Sequence, residues 1–330
     1  MNREIMNNPD EKRMYDTFCT KVYVPIFSKP WWLDAVCGEN NWGVHVIEKS
    51  GFYLAAMPYY VEKRNGFEII TKAHHSQNNG ILINYSQAEK TVAKIDRQEE
   101  VINMMCDYIE SLGVDKYEQQ YHYSFTNILP FIWRDYKQMV RYTYVIDDTG
   151  NMDVITANFK YIVRNQIKKA EKIVTIREGL DIETFFEINK SSYDRQGIDV
   201  PFSLKLLNRI EQACVEHDCR KILYARDEEG NIHSVAYLVW DEESVYFLIN
   251  GIDNDYMWSQ SNSLLIRESI RVAHTLGKKF DFEGTVLKPI EHIFRGFGAE
   301  QKMYFRIIKS FNPDMDESKV NSWSKDVEVF

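Results

Sequence analysis

The sequence predicts an α/β protein with a mixed sheet (α+β in the order of its elements), made of two copies of one unit. Three pairings within the chain carry that expectation. The text EKSGFYLAAMPYYVEKRNGFEIIT, from Glu48, reads as hairpin, strand, turn and strand, and RDEEGNIHSVAYLVWDEESVYFLIN, from Arg226, repeats that succession. A helix ending at Gly113 leads into VDKYEQQYHY, and a helix ending at Gly277 leads into KKFDFEGTV. ILPFIWRDYKQMVRYTYVI and IEHIFRGFGAEQKMYFRII then each give a short helix, a polar break and an aromatic strand. Chance produces one such match readily. Agreement in order and spacing, with Gly113 and Gly277 about half a chain apart, is what a duplication leaves. Each copy reads as an antiparallel meander, a helix, a strand, a short helix and a last strand.

The elements follow in order. In IFSKPWWLDAVC, from Ile26, Ser28 is placed to cap a short helix with Pro30 in its first turn and Trp31, Trp32, Leu33, Ala35 and Val36 along it. Strands are predicted over residues 44–48 and 52–60 around Lys49-Ser50-Gly51, and over 67–71 after Arg64-Asn65-Gly66. HHSQNNG, from His74, is a polar loop before Ile81. A helix over 88–112, a strand over 116–123, a short helix over 128–133 and a strand over 140–146 complete the first copy. The turn Asp147-Asp148-Thr149-Gly150 reads as the junction, giving domains over 1–148 and 149–312 and a polar tail over 313–330.

In the second copy, Ile155, Phe159, Ile162, Ile167, Ala170 and Ile173 predict one helix over 152–173. Helices over 182–194 and 204–217, strands over 221–226, 234–240 and 244–250, and a helix over 263–276 follow. Residues 279–298 then give a strand over 280–282, a turn through Lys288-Pro289, a helix over 290–295 and a close at Gly296-Phe297-Gly298. A strand over 302–308 ends the fold.

Composition bounds the function. Of 330 residues, 44% are apolar and 27% charged, the balance of an ordinary globular protein. A net charge of -9 argues against a general nucleic-acid footprint, so no DNA partner is expected. No apolar run approaches the roughly 20 residues of a membrane span, and the polar N-terminal text has no signal-peptide core, so the expected location is the cytoplasm. Five scattered cysteines without a CxxC pair, and adjacent rather than helically spaced His74 and His75, point to neither a disulfide framework nor a metal site.

Several residues are candidates for chemistry. Asp281 and Glu283, two apart in a strand, share one face and would lie beyond its carboxyl end, where a carboxylate can act as a base. The alternative for Asp281 is pairing with a lysine or capping the next helix. Arg295 either binds an anionic group or serves the carboxyl end of its helix. Arg164 and Lys168, one i,i+4 step apart, make a basic face for phosphates or simply a solvated one. Tyr193, Asp194 and Arg195 end a helix before Gly197, where a loop either closes over substrate or plainly begins. Gln77 and Asn78 fit acceptor contacts or turn chemistry, and Trp32 fits a sugar platform or a core position.

The order of elements resembles the GCN5-related N-acetyltransferase (GNAT) fold. Two copies in one chain resemble the bacterial Fem-type aminoacyltransferases and BioF2-like acetyltransferase domains. NFKYIVRNQIKKAEK (158–172), SNSLLIRESIRVAHTLGKKFDFEG (261–284), FRGFGAE (294–300) and the N-terminal FSKPWWLDAVCGENNWGV carry the resemblance across nearly the whole chain. It implies two tandem GNAT-like domains, with the second as the catalytic half. It implies an acyltransferase moving an acyl group from acyl-CoA to an amine or hydroxyl of a small-molecule, nucleotide-sugar or cell-envelope precursor acceptor, without a metal. On that reading Asp281, Glu283 and Tyr193 are catalytic. Asn250, Ser261, Asn262, Arg295, Phe297 and Gly298 hold the donor, and Trp32, Gln77, Asn78, Arg164, Lys168 and Arg195 hold the acceptor. One departure stands out. Acetyltransferases of this fold hold the coenzyme A pyrophosphate on a glycine-rich turn, whereas NGIDNDYMWSQSNS (250–263) has only Gly251, with Ser259, Ser261 and Asn262 available as caps. An aminoacyl-tRNA donor is therefore the runner-up, opposed by the acidic charge and by the lack of a heptad arm, and a non-catalytic binding protein is the alternative of another class.

Overall fold

The computed structural model describes residues 8–85, 90–194 and 197–315. They form two compact units, one running to Arg141 and taking the chain again from Met303, the other Tyr142–Lys302. In the first unit, helix α1 (Pro9–Cys19) starts on Asn8, whose side chain accepts from the Asp10 amide, and buries Tyr15 and Phe18. The sequence carried its signals, a capping Asn, Pro at the first position and acids in the first turn, although this segment was not expected to be helical. Next come α2 (Pro30–Cys37), β1 (Trp42–Lys49), β2 (Phe52–Arg64) and β3 (Phe67–Thr71). Both hairpins turn on paired left-handed residues, Ser50-Gly51 and Asn65-Gly66, which suit the twist of antiparallel strands. β4 (Leu82–Ile83), α3 (Thr91–Ser111), β5 (Lys116–Gln120), α4 (Leu129–Trp133) and β6 (Lys137–Ile146) follow. Val101, Ile102, Met105 and Ile109 recur at helical spacing on α3 and pack with Met57, Ile70, Tyr117 and Phe131.

The second unit opens with two helices rather than the one expected, α5 (Met152–Asn158) and α6 (Tyr161–Ala170). Phe159 and Lys160 between them are extended, with ψ of 141 and 147°. The break is served from outside the helix: the Lys160 amide donates to the Gly296 carbonyl, and Arg164 donates to the carbonyls of Ala157 and Phe159. β7 (Thr175–Glu178), too short and exposed to leave a clear period in sequence, precedes α7 (Ile182–Asp194) and α8 (Leu204–Glu216). β8 (Arg220–Arg226), β9 (Ile232–Trp240), β10 (Ser244–Ile252), a 3-10 turn at Asn254–Ser259, α9 (Ser261–Leu276), β11 (Lys279–Asp281) and α10 (Lys288–Gly296) complete it, and β12 (Glu300–Ser310) carries the chain back into the first unit. Here the strand order is β6, β11, β10, β9, β8, β7, with β10 and β11 parallel and the other pairs antiparallel. The α9 side chains Leu264, Leu265, Ile270 and Ala273 pack on Ala236, Leu238, Val245 and Phe247. Phe282 meets Phe294 at 4.8 Å and Phe280 at 4.9 Å, so both aromatic neighbours of Asp281 lie in the core.

The units divide inside β6, just before the turn at Asp147. The first unit takes its last strand from beyond that division, after the second unit's residues, whereas the end of β6 already belongs to the second unit. Val145 and Ile146 of β6 pair with β11 in the second unit, and residues 306–310 of β12 pair with β5 in the first, whose order is β1, β2, β3, β5, β12.

Two predictions follow from buried features of these sheets. Glu118 on β5 is 2% exposed and is held by Lys116 and Arg306, each at 2.8 Å. Burial alone would raise its carboxyl, but the two cations hold it below its ordinary value of 4.5. Glu118→Gln leaves buried cations uncompensated and is expected to cost about 3 kcal/mol in urea unfolding at neutral pH. Because the folded carboxyl is depressed, the wild-type advantage is complete above the ordinary value of 4.5 and shrinks as the pH falls from there through the depressed folded value. At Gly284, φ is +77° and an added Cβ would meet the Tyr142 carbonyl and the Thr143 Cα. Gly284→Ala is expected to destabilise by about 3 kcal/mol in the same assay, left-handed strain and overpacking together.

Candidate functional site

The strand pair β10–β11 ends at Tyr246 opposite Asp281, and β10 then runs on to Ile252 without β11 but still paired with β9. Its ladder with β9 skips Leu248, a bulge that re-aims the strand where its parallel neighbour has left. Beyond the bulge, side chains of α7 close the outer edge of β10. The Asn189 side-chain amide donates to the Asn250 carbonyl at 2.7 Å, and the Ile252 amide donates to Ser192 Oγ at 2.8 Å. Gly251 makes this approach possible, since a Cβ there would stand 2.6 Å from the Asn189 Cα.

At the end of β11, Asp281 is 1% exposed, and its Oδ1 accepts from Thr143 Oγ1 at 2.5 Å and from the Glu283 amide at 2.7 Å. The strand stops at Asp281, and Glu283 takes φ of +67°, so the two acids do not share a strand face as expected. A turn with two successive left-handed residues, Glu283 and Gly284, places them instead, both buried. An acid in that conformation is strained and persists only where its surroundings fix it, and here Asp281 does so.

A cavity of about 240 Å³ opens at the amino end of α9. Its wall is made by Lys160, Ile162 and Gln166 from α6 and its entry, Met257, Gln260, Ser261 and Asn262 from the turn and α9, and His292, Ile293 and Phe297 around α10. Gln260 starts α9 in the left-handed region at φ 60°, with no side-chain cap. Ser261 Oγ is buried without a hydrogen-bond partner, while Asn262 accepts from Asn250 Nδ2 at 2.8 Å. The Ser261 amide donates to Ser259 Oγ at 3.2 Å and the Ser263 amide to the Gln260 carbonyl at 3.1 Å, so it is the helix dipole and the Ser261 hydroxyl that make this end receptive to an anion. Gly296 lets α10 close on α6, since a Cβ there would touch Val163 at 3.0 Å.

The structure thus gathers Asn250, Ser261, Asn262 and Phe297 at or beside one cavity and leaves others off it. Arg295 is exposed and paired with Glu291 at 3.2 Å, and does not line the wall. Gly298, at φ +73°, serves close packing on Asn158. Arg164 caps α5, and Lys168 is exposed and off the wall. Neither Asp281 nor Glu283 lines the cavity. Tyr193 is buried against Phe202, where burial pushes its phenol above the ordinary value, and it does not line the cavity. Arg195 lies outside the described residues. In the first unit, Trp32 is 0% exposed and donates to Ser76 Oγ at 3.0 Å, so it braces the polar loop and presents no platform. Gln77 and Asn78 are buried in that loop, joined by a 3.0 Å hydrogen bond. Of the basic helix residues, Lys160 does line the cavity, while sequence reasoning missed Gln166, Met257 and His292, whose only signal was their place inside the quoted texts. Among the described residues, no cluster of three or more His, Cys, Asp or Glu side chains could hold a metal, and no helix is long and apolar enough to cross a membrane.

Residues 157–286, which hold most of the cavity wall, match the family model described as "Acetyltransferase (GNAT) domain". No curated protein matches the chain. Among solved structures, FemX is similar at 12% identity and a TM-score of 0.67, over 91% of this chain and 96% of that one. L-PGS from Bacillus licheniformis is similar at 11% identity and 0.56, over 96% and 97%. A tandem GNAT protein from the clavulanic acid biosynthesis pathway is similar at 7% identity and 0.51, over 83% and 84%. At these identities the likeness is one of fold. Residues 157–286 thus match the acetyltransferase (GNAT) domain model, and the chain shares its fold with FemX and a tandem GNAT protein.

Proposed function

We propose that the chain is an acyltransferase whose second unit takes an acyl donor into the cavity at the start of α9. The acyl group passes directly to an amine or hydroxyl of a small-molecule, nucleotide-sugar or cell-envelope precursor. The observation that carries the reading is the buried, unpartnered Ser261 hydroxyl on the wall of a cavity that ends at a 16-residue helix, inside the matched domain. The positive end of the α9 dipole, the Ser261 hydroxyl and Lys160 suit the phosphates of coenzyme A, whose thioester would supply the acyl group. Backbone groups at the Leu248 bulge, beside the parting of β10 and β11, are where a polarised acyl carbonyl would find donors. In this reading Glu283 is the base and Asp281 holds it, through the Glu283 amide, in its left-handed conformation. No covalent enzyme intermediate is required. An aminoacyl-tRNA donor is the second reading, favoured by the glycine-poor turn and the likeness to FemX.

Calorimetry with acetyl-CoA, and separately with aminoacyl-tRNA, decides the donor; binding of neither would sink the transferase reading. Ser261→Ala removes a hydroxyl that folding leaves unpaired, so its unfolding midpoint should hold while donor affinity drops about tenfold, the worth of one hydrogen bond to a charged group. Glu283→Gln is expected to lower kcat by about 100-fold or more with donor affinity unchanged, as loss of a general base does. An unaltered kcat would remove Glu283 from that role.

A further inference from the structure

We infer that Asp227 and His233 are positioning residues that brace the turn Asn254–Ser259 and so fix the donor end of the cavity; the functional part of this inference rests on the donor reading above. The turn stands where the fold's glycine-rich loop would be, yet it contains no glycine. A glycine loop wraps a phosphate with its bare backbone, whereas a turn of large side chains needs an external hold. Three holds are present. Ser191 on α7 takes Asn254, accepting its amide at 3.2 Å and, through its carbonyl, its side-chain amide at 2.8 Å. Lys169 on α6 donates to the Trp258 carbonyl at 2.7 Å. Between them, the His233 ring lies flat on Tyr256, with centroids 4.2 Å apart and planes 12° from parallel, and meets Trp258 at 6.1 Å. Met257, flanked by those two aromatics, lines the cavity.

His233 is itself aimed. It is 1% exposed, and its Nε2 donates to Asp227 Oδ2 at 3.1 Å, while Asp227 is locked in the β8–β9 turn by accepting from the Asn231 amide and side chain. Those Asn231 bonds, and then His233, hold the Asp227 carboxyl at about 2, so it remains an acceptor at any working pH. His233 Nδ1 is buried with no partner, a burden on folding that calls for a reason. Phe in its place would stack without being oriented, and Gln would donate without stacking. Only a ring with a donor at its far end does both.

The test uses the full chain, with His233→Phe, His233→Gln, Asp227→Asn, Tyr256→Ala and the conservative Tyr256→Phe. Hydrogen exchange of the free protein over 253–263, and calorimetry with coenzyme A, are measured for each. In His233→Gln and Tyr256→Ala, exchange in that segment should rise, with 264–276 unchanged as proof of folding, and coenzyme A should bind about three- to tenfold more weakly, the worth of one aromatic stack. His233→Phe and Asp227→Asn should fall between these and wild type, and Tyr256→Phe should match wild type. Wild-type exchange in both His233→Gln and Asp227→Asn overturns the brace. A loosened segment with unchanged coenzyme A affinity overturns its link to the donor. If wild type binds no coenzyme A, the donor reading fails on its own, and exchange alone decides the brace.

Discussion

The second unit depends on the parting of two parallel strands. β10 and β11 share a ladder only as far as Tyr246 and Asp281, and each then faces an unmet set of backbone groups. Buried amides and carbonyls must find partners. On β10 the α7 side chains Asn189 and Ser192 supply them. On the β11 side, the Phe282 amide turns to the Tyr144 carbonyl, and Asp281 takes up Thr143 and the Glu283 amide. The bulge at Leu248, the left-handed pair Glu283-Gly284 and the tight seat of Gly251 all lie around this parting. Parallel strands that separate leave a wedge, and wedges at strand ends are where α/β folds bind ligands.

The cavity illustrates how a loop's work can be done by other means. Its wall combines one helix start with side chains from two further helices, and the α5–α6 break is what brings Lys160 there. The Lys160 amide, freed by that break, bonds Gly296, so the same irregularity that ends one helix ties α6 to α10. Aromatic packing behind the wall, Phe159 on Phe297 at 5.0 Å, makes Phe297 both core and lining.

Much of this was legible in the sequence where a pattern is long. The repeated meander, the helices before Gly113 and Gly277 and the aromatic strands stand where alternation and glycine punctuation put them. The α5–α6 break was not legible, because Ile155 to Ile173 keep helical spacing across it and the cause, Gly296 and Arg164, lies elsewhere in the chain or in a side chain's reach. The shared face for Asp281 and Glu283 failed because period-two reasoning assumes a strand that a left-handed residue had already ended. Trp32 and Tyr193 illustrate the general difficulty: an aromatic beside a loop reads alike whether it lines a site or braces one, and only burial separates the two. The cavity's Met257 and His292 sit inside the quoted texts, but neither their spacing nor their residue types mark them as lining a site.

The late arrival of the first unit's last strand bears on how the chain folds. The first unit's β5 finds its partner in residues 306–310, so its sheet stays one strand short until those residues have been made. Until then Lys116–Gln120 offers an unpaired edge, the kind of surface that invites wrong partners. The loop to be closed, between residue 120 and residue 306, contains the core of the second unit. Prior folding of that unit would shorten the search, replacing a long flexible connection with a compact one. Vectorial synthesis therefore favours an order in which the later half settles before the earlier half can finish.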